Sequence, residues 1–396
     1  MEQAVVFGAG SIGRGFIGQL LSESGYQVVF VDIDEPLIAA LNVRGSYTIH
    51  LAENDHCETV TVEPVRGLLS ADAEAVMAAL AEAPLGATAV GARALPHIAP
   101  LIAGAVARRM EAGNAEPLNL ILCENLPDAA GYLRGLITEQ LDAEGHGARA
   151  YFDAHVGLVN AVIGRMVPEP TPEMQADDIS AILTEPFKEL PVDGAAWVGE
   201  VPVIVGLELR EPFAPYVERK LYLHNAAHAL MGYLGYQRGY KLGYETLDDP
   251  VIRPLVEGAL DEAVQGLVAR HGLEEAALRD HVAALWPRLA NRGLADPVSR
   301  LARGVLRKLA PDDRLVGASH VATEASLSPS NLAWGIGAAL AYDAPDDDEA
   351  QELQERIARE GVDRVLASVC EIEPEEPLGA LVLERYGRVR DGVWAP

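Results

Sequence analysis

Residues 4–18, AVVFGAGSIGRGFIG, run from an unbroken apolar stretch through three glycines spaced Gly8-x-Gly10-x-x-Gly13 into further small and apolar residues. A buried strand, a glycine-rich turn and then a helix constrain the fold more than any other segment, because a strand without polar alternation has to be covered on both faces. Each glycine has its own task. Gly8 lets the strand turn tightly, Gly10 lets the backbone come close to a phosphate-bearing ligand, and Gly13 lets the helix pack closely on the sheet. A helix opening at Ser11 or Ile12 aims unpaired N–H groups at an anion.

The next apolar run, QVVFVD at 27–32, is a second strand that ends in a carboxylate. It lies about twenty residues beyond the turn, where an acid grips the adenosine ribose. Strand, glycine turn, helix, strand and acid in this order read as a dinucleotide-binding Rossmann unit, with Asp32 on the ribose and NAD as the cofactor. A 2′-phosphate would face the Asp32 charge, and Arg44 lies too far along the chain to replace it. The alternative is that Asp32 and Asp34 start the following helix as caps.

With 396 residues the chain exceeds one ordinary core, so two domains are expected. A formal net charge of -28 argues against nucleic acid or an anionic membrane surface as partner, since the field of the whole protein repels polyanions. No apolar run is long enough to span a bilayer and none resembles a signal peptide, so the chain reads as cytoplasmic. Cys57, Cys123 and Cys370 are widely spaced, without metal-site spacing, and suit reduced thiols. Only four lysines occur, Lys188, Lys220, Lys241 and Lys308.

The first half alternates strands and helices as a parallel sheet covered on both faces does. Residues 86–91 form a strand ending at Val90 and Gly91, on the expected nicotinamide side, and residues 118–123 form another, followed by Glu124 and Asn125. Residues 95–110 read as a helix, and the segment 181–209 mixes turns with short strand-like runs such as 201–205. After Glu211 the apolar residues recur at three- and four-residue spacing, predicting helices near 217–234, 250–271, 274–289, 297–309 and 331–342. The fold class is therefore α/β: a Rossmann-like parallel-sheet domain over 1–210, then a mostly helical substrate and catalytic domain over 211–396. The acidic run at 346–349 reads as a solvated helix cap.

Within the second half, VERKLYLHNAAH at 217–228 sets Lys220, Asn225 and His228 among leucines and alanines. On an α-helix Lys220 and His228 are about 80° apart, so the three side chains can address one cleft. By periodicity alone the preferred reading is a wet lysine and two satisfied core groups.

Lys-x4-Asn-x2-His after a Rossmann domain resembles the signature of the polyol-specific long-chain dehydrogenases, the mannitol dehydrogenase family. FGAGSIGRGFIG, LCENLP at 122–127, VGLVNAVIGRMVP at 156–168, VERKLYLHNAAHA at 217–229 and VSRLARGVLRKLAPDDRL at 298–315 are all similar to blocks of that family, and in particular of its branch acting on mannitol 1-phosphate. The resemblance implies NAD-dependent, metal-independent interconversion of mannitol 1-phosphate and fructose 6-phosphate by a monomer. Lys220 would be the general acid/base, which requires its pKa to fall towards working pH. Asn225 and Asn125 would stabilise the developing alkoxide, and His228 would hold the substrate oxygen or Lys220 in register. Asn125 would also border the cofactor.

Asn160, Arg165, Arg300 and Arg303 are the candidates for holding substrate. Arg300, Arg303, Arg307 and Lys308 make a basic patch, three of them at helical spacing, that suits a phosphoryl group or, equally, pairs with surface carboxylates. Where the family carries Val-Asp-Arg this chain has Ile163-Gly164-Arg165, and residues 315–320 and 328–331 lack nearby lysines. An unphosphorylated polyol, or a sugar acid such as altronate, is the alternative substrate. A non-catalytic NAD sensor is the alternative function.

Overall fold

The computed structural model describes residues 1–126, 128–144 and 147–394; Pro127, which closes the LCENLP block, lies outside them. The chain divides into two compact units, Met1–Phe213 and Ala214–Pro396. Among the described residues no helix is long and apolar enough to cross a membrane.

The first unit opens with β1 (Gln3–Phe7), a π-helical run (Gly13–Ile17), α1 (Gly18–Glu23), β2 (Gln27–Asp32) and α2 (Glu35–Arg44). There follow β3 (Tyr47–Glu53), β4 (His56–Val62), β5 (Val65–Leu69), α3 (Ala73–Glu82), β6 (Leu85–Thr88), α4 (Leu95–Glu111) and β7 (Leu118–Leu122). It closes with α5 (Ala129–Glu144), α6 (Ala148–His155), β8 (Val156–Asn160), α7 (Pro172–Asp177), β9 (Ile182–Thr184), β10 (Leu190–Asp193) and β11 (Leu207–Arg210).

Six of these strands form one wholly parallel sheet in the order β5-β2-β1-β6-β7-β8. Successive β1 residues feed opposite cores: Val5 and Phe7 pack with α3, α4 and α5 residues, whereas Ala4 and Val6 pack with Phe16, Ile17 and Leu20. The uniform apolarity of the strand follows from this double coverage. The chain leaves β1 towards β2 and returns on its other side at β6, which opens a crevice at the carboxyl ends of the strands.

β3 and β4 pair as an antiparallel hairpin and β9 adds to it in parallel, a small sheet that the apolar pattern did not announce. The expected strand-like run at 201–205 forms no strand, and Val203 is almost wholly exposed. Pro202 lacks the N–H a ladder needs, and the pairing in this region is between β10 and β11 instead.

The second unit is helical: α8 (Ala214–Arg219), a second π-helical run (Lys220–Asn225), α9 (Ala226–Gln237), α10 (Gly243–Leu247), α11 (Ile252–His271), α12 (Glu275–Leu289), α13 (Val298–Ala302) and α14 (Val305–Lys308), then α15 (Val316–Glu324), α16 (Leu332–Leu340), α17 (Asp348–Glu360), α18 (Val362–Val369) and α19 (Pro377–Arg390). α16 is apolar all round, so it is buried on every side, against α9 and α19 among others. Asp347 caps α17 by accepting from the Ala350 N–H.

Two expectations are corrected here. The helix expected over 297–309 is two short ones, because Gly304 takes a left-handed conformation (φ 76°) between them. Arg300, Arg303 and Arg307 therefore do not share one helical face. The helix expected over 217–234 is continuous but not uniformly α-helical, with consequences for Lys220.

Candidate active site

The glycine turn fits a dinucleotide pyrophosphate. Gly8 has φ 97°, and a Cβ placed there would meet the Ala89 carbonyl oxygen at 2.4 Å. A Cβ on Gly13 would stand 1.9 Å from the Gly8 oxygen, so this glycine closes the helix onto the turn itself rather than onto the sheet. A Cβ on Gly10 would meet nothing within 4 Å. It points into the open space a bound phosphate needs, and Ser11 and Ile12 begin the helix beside it.

Asp32 and Asp34 have separate tasks. Asp34 caps α2, accepting from the Leu37 N–H at 3.0 Å. The Asp32 carboxylate accepts from Ala9 N–H (2.6 Å), Ile33 N–H (2.7 Å) and Asp34 N–H (3.0 Å), which locks the end of β2 to the glycine turn. Beside it Ile33 is 85% exposed and offers an apolar shelf at the sheet edge.

Arg14 supports the turn from behind, a role the spacing does not reveal. Its buried guanidinium donates to the Ala9 carbonyl (2.5 Å) and to the Ser180 carbonyl, while Tyr47 Oη donates to the Arg14 carbonyl at 2.7 Å. Burial lowers the Arg14 pKa, opposed by Tyr47 and by the charges of Asp32, Asp34 and Asp178.

Val90 and Gly91 lie past β6, which ends at Thr88 rather than running to 91 as expected, and their N–H groups are already used: both donate to Glu124, at 3.1 and 2.8 Å. What they leave to a ligand is the bare backbone surface of Gly91, with φ 83° and open space where a Cβ would be. Asn125 follows Glu124 and is exposed.

Asn160 spends its amide oxygen on the Ala130 N–H (3.0 Å), at the start of α5. Arg165, expected at the substrate, is buried within the first unit. Its Nε donates to the Glu185 carbonyl (2.6 Å) and its Nη1 to Gln19 Oε1 (2.7 Å), with the guanidinium over the Phe16 ring. Two of its nitrogens are thus spent on acceptors of the first unit.

In the second unit Lys220 opens the π-helical run, whose pattern is visible where the Ala226 N–H reaches back five residues to Leu221. Such bulges recur at functional sites because they insert one residue and re-aim the side chains around it. Lys220, Asn225 and His228 are therefore not related by α-helical angles.

Asn225 and His224 are buried, His228 half-buried, and the two imidazoles meet edge-to-face with centroids 4.8 Å apart. Lys220 keeps part of its surface accessible. Crowding by protein nevertheless lowers its pKa to about 7; Arg314 and Arg307 push the same way and Asp313 opposes them. His228 is held well below the ordinary imidazole range by burial and then by Arg300, Lys220, Lys308 and Arg314, so it is neutral at pH 7.

The cations around this point are unequally occupied. Arg300 is paired two-pronged with Asp296, and Arg303 is exposed at the break between α13 and α14. Lys308 is buried, donating to the Leu301 carbonyl and lying over the Tyr233 ring. Arg307 (3.4 Å) and Arg314 (2.6 Å) share the Asp313 carboxylate. Arg314 is 6% exposed, and its Nη2 is shielded from solvent with no hydrogen-bond partner among the described residues. Among the described residues, no group of three His, Cys, Asp or Glu is placed to hold a metal ion.

Sequence and structure comparisons agree with this organisation. The family model for the mannitol dehydrogenase Rossmann domain matches residues 2–206, and that for the mannitol dehydrogenase C-terminal domain matches 213–386. Mannitol-1-phosphate 5-dehydrogenase of Brevibacillus brevis is 39% identical over 98% of both chains. The protein of that name from Bacillus subtilis is 39% identical over 97% of this chain and 100% of its own.

Among solved structures, mannitol 2-dehydrogenase of Pseudomonas fluorescens, in ternary complex with NAD and D-mannitol, superposes with a TM-score of 0.76 at 20% identity. That match covers 99% of this chain and 92% of the other. A D-sorbitol dehydrogenase reaches 0.79 at 15% identity, covering 98% and 93%. With both domain models matched and relatives this similar along nearly the whole chain, the protein belongs to the mannitol dehydrogenase family.

Proposed function

We propose that this NAD-dependent polyol dehydrogenase interconverts D-mannitol 1-phosphate and D-fructose 6-phosphate, with Lys220 as general acid/base and no metal ion in the step. The observation that carries this reading is a lysine whose pKa falls to about 7 beside a neutral histidine and a buried asparagine. An ordinary lysine is protonated at neutral pH and cannot act as a base; this one is poised to exchange a proton in either direction. NAD, when bound, supplies the acceptor for the hydride of the reacting carbon.

During oxidation the neutral Lys220 amine takes the hydroxyl proton at Nζ. During reduction the ammonium returns it. The amide N–H groups of Asn225, and those of Asn125, are assigned to the alkoxide that develops as the proton leaves, because fixed donors strengthen as charge builds. Neutral His228 keeps the substrate oxygen or Lys220 in register. Gly8, Gly10, Ser11, Ile12 and Gly13 are assigned to the pyrophosphate, Asp32 to the adenosine ribose, and the Gly91 backbone to the nicotinamide side. We further assign a monomer, to be tested by sedimentation, working in the cytoplasm.

The phosphate ester is preferred over a neutral polyol because of Arg314. A buried guanidinium with one unpartnered nitrogen, beside Arg307 and Lys308 in a chain of net charge -28, suits an incoming anion. Arg300 is a weaker candidate, being already paired with Asp296, and Arg303 is assigned to the rim. A sugar acid would satisfy the same guanidinium and is the second reading.

Steady-state rates with mannitol 1-phosphate, mannitol and altronate separate the substrates. The phosphate ester is expected to lead mannitol in kcat/KM by on the order of a hundredfold or more, the worth of one or two charge-assisted hydrogen bonds. Turnover of altronate with none of the ester would replace the substrate.

Arg314→Met is expected to raise KM for the ester about 10–100-fold, with little change for mannitol at its plateau pH. It removes a cation that depresses the Lys220 pKa, so the inflection in the pH–rate profile should also move to higher pH. An unchanged KM for the ester would remove Arg314 from the phosphate site.

A further inference from the structure

Glu124 is a buried carboxylate, 8% exposed, just past the end of β7. It makes no ion pair among the described residues; its oxygens accept from the Val90 and Gly91 N–H groups. Burying a carboxylate costs more than two peptide donors return, so a position that keeps one without a cation needs a reason.

The turn it grips is joined to the rest of the crevice. Ala89 N–H donates to the Phe7 carbonyl at 2.7 Å, and the Ala89 carbonyl is the group that excludes a side chain at Gly8. Glu124 therefore ties the ends of β6 and β7 to the glycine turn after β1. With the pyrophosphate over β1 and the adenosine ribose at β2, the other half of a dinucleotide falls across β1 from β2, over the ends of β6 and β7. The oxidised nicotinamide ring carries a positive charge there and the reduced ring carries none.

We propose that Glu124 is a positioning residue that biases the cofactor site towards oxidised, cationic NAD, by fixing a negative charge at the β6/β7 end of the crevice and holding the 89–91 turn. This rests on the assignment of the glycine turn and Asp32 to NAD. A structural peg would serve both forms of the cofactor alike; a charge discriminates between them.

The test compares Glu124→Gln and Glu124→Asp in the full chain, titrated separately with NAD+ and NADH after thermal melting has established that each variant is folded. Glu124→Gln keeps the volume and loses the charge, but its NH2 also faces one of the two backbone N–H groups, a change that bears on both cofactors alike, so the ratio of the two constants is what reads the variant. It should weaken NAD+ about tenfold more than NADH, a discount on the full Coulomb value because solvent shares the crevice. Glu124→Asp keeps the charge on a shorter stem and should preserve the wild-type ratio of the two dissociation constants, whatever it does to both.

Equal weakening of both cofactors by Glu124→Gln, or no change, overturns the proposal. So does a ratio that moves as far in Glu124→Asp as in Glu124→Gln. Gly10→Ala is the separate control on the cofactor assignment: it should weaken both forms equally. If it weakens neither, the assignment of the turn is at fault, and the proposal falls with it.

Discussion

Lys220→Ala is expected to lower kcat by about 10²–10⁴-fold, the usual worth of a positioned proton-transfer group. The dissociation constant for NADH should stay within about twofold, because no interaction with cofactor is removed. Stopped-flow or steady-state turnover checks the first, fluorescence titration the second.

The pH profile of the wild type carries the same prediction with a sign. Oxidation needs the free amine, so its rate should rise as pH climbs through about 7; reduction needs the ammonium, so its rate should fall over the same interval. Burial sets that value first, with Arg314 and Arg307 adding to it and Asp313 opposing. Opposite limbs sharing one inflection identify a single acid/base. If Lys220→Ala turns over as fast as wild type, the proton step belongs elsewhere. A wild type that binds NADH but oxidises none of the tested polyols or sugar acids would favour a sensor over an enzyme.

A second large effect is expected from the glycine turn, where Gly13 and Gly10 should fail in different ways. Gly13→Ala places a methyl group 1.9 Å from a backbone oxygen that cannot swing aside, so the turn and the π-helical run after it must shift. Overpacking of this kind costs about 1–3 kcal/mol, and the cradle is lost with it. The melting temperature should drop and NAD binding should become undetectable at millimolar cofactor.

Gly10→Ala meets nothing within 4 Å, so the fold should melt as wild type does. The added methyl occupies the space assigned to the pyrophosphate, and NAD should bind on the order of 10–100-fold more weakly, as when a buried charge-assisted hydrogen bond is lost. Calorimetry of both variants with and without NAD distinguishes the two mechanisms. A destabilised Gly10→Ala, or a Gly13→Ala that binds normally, would contradict the geometry.

Several elements were legible along the chain for one physical reason: their determinants are local. A strand covered on both faces writes itself as QAVVF, a tight turn demands glycine, and a carboxylate at the end of the next strand lies within one βαβ unit of it. The helices α11, α12 and α16 were readable from apolar spacing, and Gly304 carried a visible signal for the break between α13 and α14 that spacing alone overrode. The two π-helical runs were not legible. A single inserted residue leaves the apolar pattern almost unchanged, while it re-aims Lys220 and Arg14.

Arg165 shows how little a block's resemblance says about placement. The block around it resembles the family strongly, yet the guanidinium is enclosed by Gln19, Glu185 and Phe16. Similarity of a segment does not tell which side of a strand end a residue faces. Glu124, Asp313 and Arg314 stood inside or beside the blocks read along the chain but were given no role, because the groups they act on, Val90 and Gly91 for the first and Lys220 for the other two, come from other elements.

By itself, then, the order of residues determined the fold class and the glycine turn, since strand burial and glycine geometry are properties of short segments, while the lysine worth testing was marked by the resemblance of its block to a family. Only the tertiary structure decided which charges surround that lysine, and hence its proton affinity, and that Arg314 is buried among them. Those depend on burial and on Coulomb interactions between distant segments, which fall off with distance through space and take no account of distance along the chain.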